Sequence, residues 1–235
     1  MTRKNFIGSC AAFAVGSAIA KPRRSAIASR TRTSCVTDFL FDSIVEWIES
    51  TGEQWIDTGY CPEYNDNITL TGEIQKLPPN NSVTYAIFGC RDSPTEAYVG
   101  GQVYNSTIYG AFHNGIQLST LDRYRAMGTA YKSAFMLSLS DAERRVDINW
   151  KTYTSYLTSK PFVASKSIYL FAFNGMNWKS LDYRLHLFEV EGKRRMIPVR
   201  FTNEYGETEG AMYDQISGGI YRNQGAGSFI IGPDV

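Results

Sequence analysis

Two histidines, His113 and His186, are the only side chains in the 235 residues whose ordinary pKa suits proton transfer near neutral pH. His186 alternates with Arg184 and Phe188, so a strand here would hold it on the face opposite Leu185 and Leu187. His113 reads as an ordinary strand-end residue. A nucleophilic serine of the G-x-S-x-G type is absent. Glu189-x-Glu191 places two carboxylates on one strand face, as acid–base cleavage of a glycosidic bond requires. It abuts the Gly192-Lys193 turn, however, where solvated charge is the usual filler. Gly100-Gly101 and Gly218-Gly219 lack the flanking pattern of a phosphate loop. No Cys/His spacing suggests zinc, and no Asp/Asn-rich loop has the EF-hand form.

Binding chemistry is better supplied than catalysis. A pyranose face needs an aromatic platform, with amides and carboxylates for its hydroxyls. Outside the framework segments named below, the aromatic candidates are Tyr64, Tyr104, Tyr109, Trp150, Tyr153, Tyr156 and Trp178. Trp178 lies in Asn174-Gly175-Met176-Asn177-Trp178-Lys179, directly after a strand, which makes Trp178 with Asn174 and Asn177 the leading ligand contacts. Tyr104, Asn105, Tyr109 and Asn114 form a second cluster around one hairpin. The plainer alternative is that such rings simply cover sheet edges.

The elements that would position these residues are strands. Asn67–Gln75 sets Ile68, Leu70, Gly72 and Ile74 on one face, a period of two. Further strand signals run through Val45–Ser50, Gln54–Tyr60, Val83–Cys90, Ala97–Tyr104, Thr107–Asn114, Tyr131–Ser140, Arg145–Tyr156, Ser167–Phe173, Tyr183–Glu191 and Arg195–Thr202. Asn105-Ser106 and Asp141–Arg144 read as hairpin turns, and Pro78-Pro79-Asn80-Asn81 as a loop. The one helical candidate, Ser119–Arg125, is short, and no repeat is present. With 43% apolar and 14% aromatic residues, the pattern predicts an all-β, single-core sandwich over 44–235.

The net charge of +1 conceals a basic leader. Residues 1–32 hold seven Lys or Arg and no acid, so the rest carries 17 basic against 23 acidic side chains. That is no footprint for nucleic acid or an anionic membrane. Thr2-Arg3-Lys4 precedes a modestly apolar stretch, Phe6–Ala20, and two small-x-small sites end at Ala20 and Ala28. The stretch falls short of the roughly 20 residues a spanning helix needs. Residues 1–28 therefore read as an export signal and 29–43 as a Ser/Thr-rich spacer, with the mature chain beginning near Lys21 or Ser29. The motif Thr2-Arg3-Lys4-Asn5-Phe6-Ile7 resembles a twin-arginine signal with Lys for the second arginine. The expected location is the periplasm, cell surface or exterior. After cleavage Cys35, Cys61 and Cys90 remain, an odd number; either all are free thiols or Cys61 and Cys90 are bridged.

Three segments resemble the concanavalin A-like, or laminin G-like, jelly-roll domains of secreted and phage-associated bacterial proteins. They are Glu46–Tyr60 (EWIESTGEQWIDTGY), Ile168–Gly175 (IYLFAFNG), and Tyr183–Glu189 taken with Pro198, Gly210–Asp214 and Phe229–Pro233. The resemblance implies two antiparallel sheets with both termini in neighbouring strands, and it makes Trp47, Trp55 and Tyr169 framework rather than ligand contacts. Relatives that cleave glycans carry Glu-x-Asp-x-x-Glu on one strand, a triplet this chain lacks. Relatives that bind calcium use rim carboxylates, for which Asp57, Asp66 and Asp92 are the candidates. The expectation is a non-catalytic exported binding or adhesion module for a glycan or another extracellular polymer, with no cofactor beyond structural calcium. A glycoside hydrolase or lyase on the same fold, and a structural or protein-interaction domain, are the alternatives.

Overall fold

Strict alternation from Ile68 to Ile74 buries every second side chain, and the neighbouring strand Ser133–Leu139 repeats the rule. The computed structural model describes residues 40–76, 82–93, 97–104, 107–114, 124–125, 133–148, 150–156 and 160–235. The leader, the two cleavage sites, Cys35, the Asn105-Ser106 turn and the Pro78–Asn81 loop lie outside the described residues. No helix occurs among the described residues. The strands are β1 (Ser43–Ile44), β2 (Ile48–Glu49), β3 (Ile56–Asp57), β4 (Ile68–Ile74), β5 (Tyr85–Arg91) and β6 (Ala97–Tyr104). They continue as β7 (Thr107–Asn114), β8 (Tyr124–Arg125), β9 (Ser133–Leu139), β10 (Glu143–Ile148), β11 (Lys151–Tyr156) and β12 (Tyr169–Leu170). The last are β13 (Lys179–Ser180), β14 (Tyr183–Val190), β15 (Arg194–Thr202), β16 (Thr208–Asp214), β17 (Ile220–Tyr221) and β18 (Ile230–Ile231).

Two sheets result. The first runs β11-β10-β9-β4-β14-β15-β16-β17, with β1 beside β15 and β2 between β14 and β18. The second runs β3-β12-β5-β6-β7-β8, with β13 beside β5. Pairing is antiparallel apart from the two-residue β13–β5 ladder and a Cys90–Asn174 bridge. The sheets meet through interlocking apolar rows. Phe88 of the second packs on Phe188 of the first, with ring centroids 5.8 Å apart. Gly101 and Gly110 make room for Leu137 and Leu139, since a Cβ on either glycine would lie 2.4 or 2.7 Å from a leucine methyl. Each fully buried Leu, Ile or Phe stabilises this layer by about 1.5–3 kcal/mol.

The first and last of the described strands close on each other, as expected. Ile48 and Glu49 pair with Ile231 and Ile230. Gln224 N–H donates to Trp55 O at 2.8 Å, and Gln54 Nε2 donates to Ala226 O at 2.9 Å. The sheet begins slightly ahead of the expected boundary, because Asp42 N–H already donates to Arg200 O.

Three local expectations need correction. Tyr183–Glu191 does not alternate throughout: a β-bulge between Leu185 and Leu187 turns both His186 and Leu187 outward. Arg145–Tyr156 is two strands, because Trp150, at φ 63°, reverses the chain between Ile148 and Lys151. Ser167–Phe173 pairs regularly only at Tyr169–Leu170, because Phe171 takes φ 64° and ends the strand. Of the short helical candidate only Tyr124 and Arg125 are described, and they pair with Ile108 and Thr107 as strand.

Candidate functional site

The outward face of the second sheet gathers the aromatic residues, and two glycines and one strained phenylalanine make this happen. Gly89 and Gly100 pair across β5 and β6 at φ 143° and 153°. A Cβ on Gly89 would lie 2.5 Å from the Phe173 ring, and one on Gly100 would lie 2.7 Å from it. Only glycine lets that ring rest on the sheet. Phe171 makes the approach possible. Its side chain is fully buried against Tyr183 and Phe229, and its N–H donates to Ile87 O, so the core holds a left-handed backbone that costs roughly 1–2 kcal/mol. The chain then crosses from the core to the outer face, and Phe173 through Trp178 lie over β5 and β6.

Trp178 is half-buried there, 4.7 Å from Phe173 and 6.3 Å from Tyr98, ring to ring. Tyr98 is almost wholly buried, and its hydroxyl donates to Gln102 Oε1 at 2.6 Å. Burial pushes the Tyr98 phenol above its ordinary pKa, opposed by the Arg91 guanidinium 5.4 Å from its ring. Arg91 also reaches Met176 Sδ at 3.8 Å and Ser93 O at 3.2 Å. Alternation along β6 sets Tyr104, which is 40% exposed, on the same face as Tyr98 and Gln102. Tyr109, half-buried, pairs with Gln102. Asn177 is exposed beside Trp178. Asn174 has a framework part: its Nδ2 donates to Ser167 O at 3.0 Å, and its backbone bonds Gly89 and Arg91. The backbones of His113 and Asn114 pair with Tyr98 and Ala97, while their side chains lie outside the described ones.

Sequence reasoning set Trp55 and Tyr169 aside as framework. Both are half-buried on this outer face, stacked at 4.4 Å and 27°. Tyr169 pairs with Gly89, in the row on which Phe173 rests. A sequence signal existed: Tyr169 alternates with the buried Ile168 and Leu170. Trp47 is on the other sheet, under the Arg184 guanidinium at 3.9 Å, and Arg184 also pairs with Glu49 at 2.9 Å.

The remaining titratable candidates are held by other groups. Glu189 pairs with Arg195 at 2.8 Å, and Glu191 accepts from Asn67 Nδ2 at 2.7 Å. His186 Nδ1 lies 2.9 Å from Glu46 O. The three aspartates proposed for calcium stand apart in function. Asp57 accepts from Gly59 N–H, and Asp92 accepts from the N–H groups of Ser165 and Lys166. Asp66 accepts from the Tyr60 hydroxyl and Glu63 N–H, and it pairs with Lys193 at 2.8 Å. Burial, then the Asp66 bond, pushes Tyr60 up to about 12, and Asp66 raises Lys193 above its ordinary value. Among the described residues no three His, Cys, Asp or Glu side chains gather to hold a metal. Cys61, exposed, and Cys90, buried in the core, are free thiols, not a bridge. Burial raises both thiol pKa values, with Asp92 adding to each.

No protein-family model matches the chain, and no curated protein matches it with significant similarity. Among the described residues, no helix is long and apolar enough to cross a membrane.

Proposed function

We propose that this chain is a non-catalytic binding module whose outer second-sheet face recognises a glycan or another extracellular polymer. The supporting observation is that Trp55, Tyr169, Phe173, Trp178, Tyr98, Tyr104 and Tyr109 share that one face. Trp55, Tyr169, Trp178 and Tyr109, half-buried, and Tyr104, exposed, keep an open side that suits the apolar face of a sugar ring. Tyr98 and Phe173 are buried against Trp178, and Asn177 is exposed beside Trp178 as a polar partner. With this reading go a jelly-roll connection of the concanavalin A-like kind and export directed by residues 1–28. The test is a glycan array probed with the full chain and with Tyr104→Ala and Tyr109→Ala. The parent should give sugar-selective hits that both variants weaken. An array without hits for the parent overturns the reading.

A further inference from the structure

Asp57 places a carboxylate on the face that gathers the aromatic rings. Trp55 and Asp57 flank the buried Ile56, so both side chains point away from the core. Asp57 is the Cα partner of Tyr169, whose ring stacks on Trp55 at 4.4 Å and 27°. Directly opposed residues of an antiparallel pair share a face, with Cβ atoms about 4.5–5.5 Å apart, so this carboxylate stands beside the stacked rings. Burial, then Asp57, raises the Tyr169 phenol above its ordinary value.

Other acids of the sheets are matched by cations. Glu49 and Glu73 pair with Arg184, Glu189 with Arg195, and Asp147 with Arg145. Asp57 makes one bond: its Oδ1 accepts from Gly59 N–H at 2.8 Å, which closes a local turn. Among the described residues, its Oδ2 takes no hydrogen bond and Asp57 has no ion-pair partner. An ionised oxygen with open lone pairs beside an aromatic pair suits a sugar. The C–H face of the sugar lies on the rings, and its hydroxyls donate to the carboxylate in bonds about twice as strong as neutral ones. A quaternary ammonium fits less well. An aromatic cage holds its cation against several ring faces, and two rings in contact at 4.4 Å leave no gap between them. A uronate or sulfated sugar would meet like charge.

We propose that Asp57 is a specificity-determining ligand contact beside the Trp55–Tyr169 pair, accepting from the hydroxyls of a neutral sugar and turning anionic sugars away. This deepens the glycan reading above and rests on it. The test titrates the full chain, Asp57→Asn and Tyr104→Ala with cellohexaose and mannohexaose, and with the same chains oxidised to carboxylates at C6. Asparagine still offers an oxygen to Gly59 N–H, so Asp57→Asn should melt with the parent. The parent should bind a neutral chain and reject its oxidised form. Asp57→Asn should bind the neutral chain about tenfold more weakly, as loss of a charged acceptor implies, and should lose most of the discrimination. Unchanged neutral affinity in Asp57→Asn overturns the contact, as does a parent that takes the oxidised chain equally well. A weakening matched by a clear fall in melting temperature assigns Asp57 to the turn alone and also overturns it. If Tyr104→Ala weakens binding while Asp57→Asn does not, the glycan reading stands without Asp57. A parent that binds neither neutral chain overturns the Asp57 contact, and an empty glycan array overturns the glycan reading with it.

Discussion

Replacing Trp178 with alanine tests the aromatic face most directly, because the side chain both packs and faces solvent. A fully buried Trp→Ala change costs roughly 3–5 kcal/mol. Trp178 is only half-buried, against Phe173 at 4.7 Å and Tyr98 at 6.3 Å, so about half of that, roughly 2 kcal/mol, is expected. In a domain of this size that lowers the melting temperature by about 4–8 °C. Binding should fall independently, by at least about fivefold, because a stacked ring contributes on the order of 1 kcal/mol. Trp178→Phe should retain most of the stability, since a ring still rests on Tyr98. Urea unfolding gives the first quantity, and calorimetric titration well below both melting points gives the second. Two results refute the reasoning. A stability loss of 4 kcal/mol or more would make Trp178 a core residue, and unchanged affinity in a folded variant would remove it from the ligand surface.

Three further outcomes follow from the same geometry. Asp66→Asn leaves the Tyr60 hydroxyl without its carboxylate and Lys193 with Glu63 alone, which should cost about 2 kcal/mol in urea unfolding; a loss under about 0.5 kcal/mol would show the cluster to be solvated. Burial would raise the Asp214 pKa, yet Ser217, the N–H groups of Arg195 and Ile216, and Arg194 together hold it below the ordinary value. A depressed folded pKa stabilises above the unfolded value near 3.9 and loses that stabilisation as pH falls through the folded value, so Asp214→Asn should flatten the stability-versus-pH curve below about pH 4. In thiol labelling followed by peptide mass spectrometry, Cys61 should react slowly at pH 7 and faster as pH rises, and Cys90 only after unfolding; rapid labelling of Cys90 in the native chain would contradict its burial.

Local pattern alone was enough for the class of fold. Period-two burial in Ile68–Ile74 and the recurrence of similar segments specify half-buried strands, and enough of them to make two sheets. The closure of Gln54–Tyr60 against a C-terminal strand was expected from the resemblance those segments carry, not from local pattern. Trp178 was legible as a ligand candidate because it follows a strand in a Gly/Asn-rich loop. The departures from alternation were not legible. A bulge at His186–Leu187 and a left-handed backbone at Phe171 are imposed by contacts distant in sequence, against each residue's own preference, while the left-handed backbone at Trp150 belongs to the tight turn between β10 and β11. The company that Trp178 keeps was equally hidden. Trp55, Tyr98, Tyr104, Tyr109 and Tyr169 share its sheet face only because β3, β12, β5, β6 and β7 pair in that order. Alternation within one strand says which side chains point the same way; the pairing of strands far apart in the chain decides which of them meet.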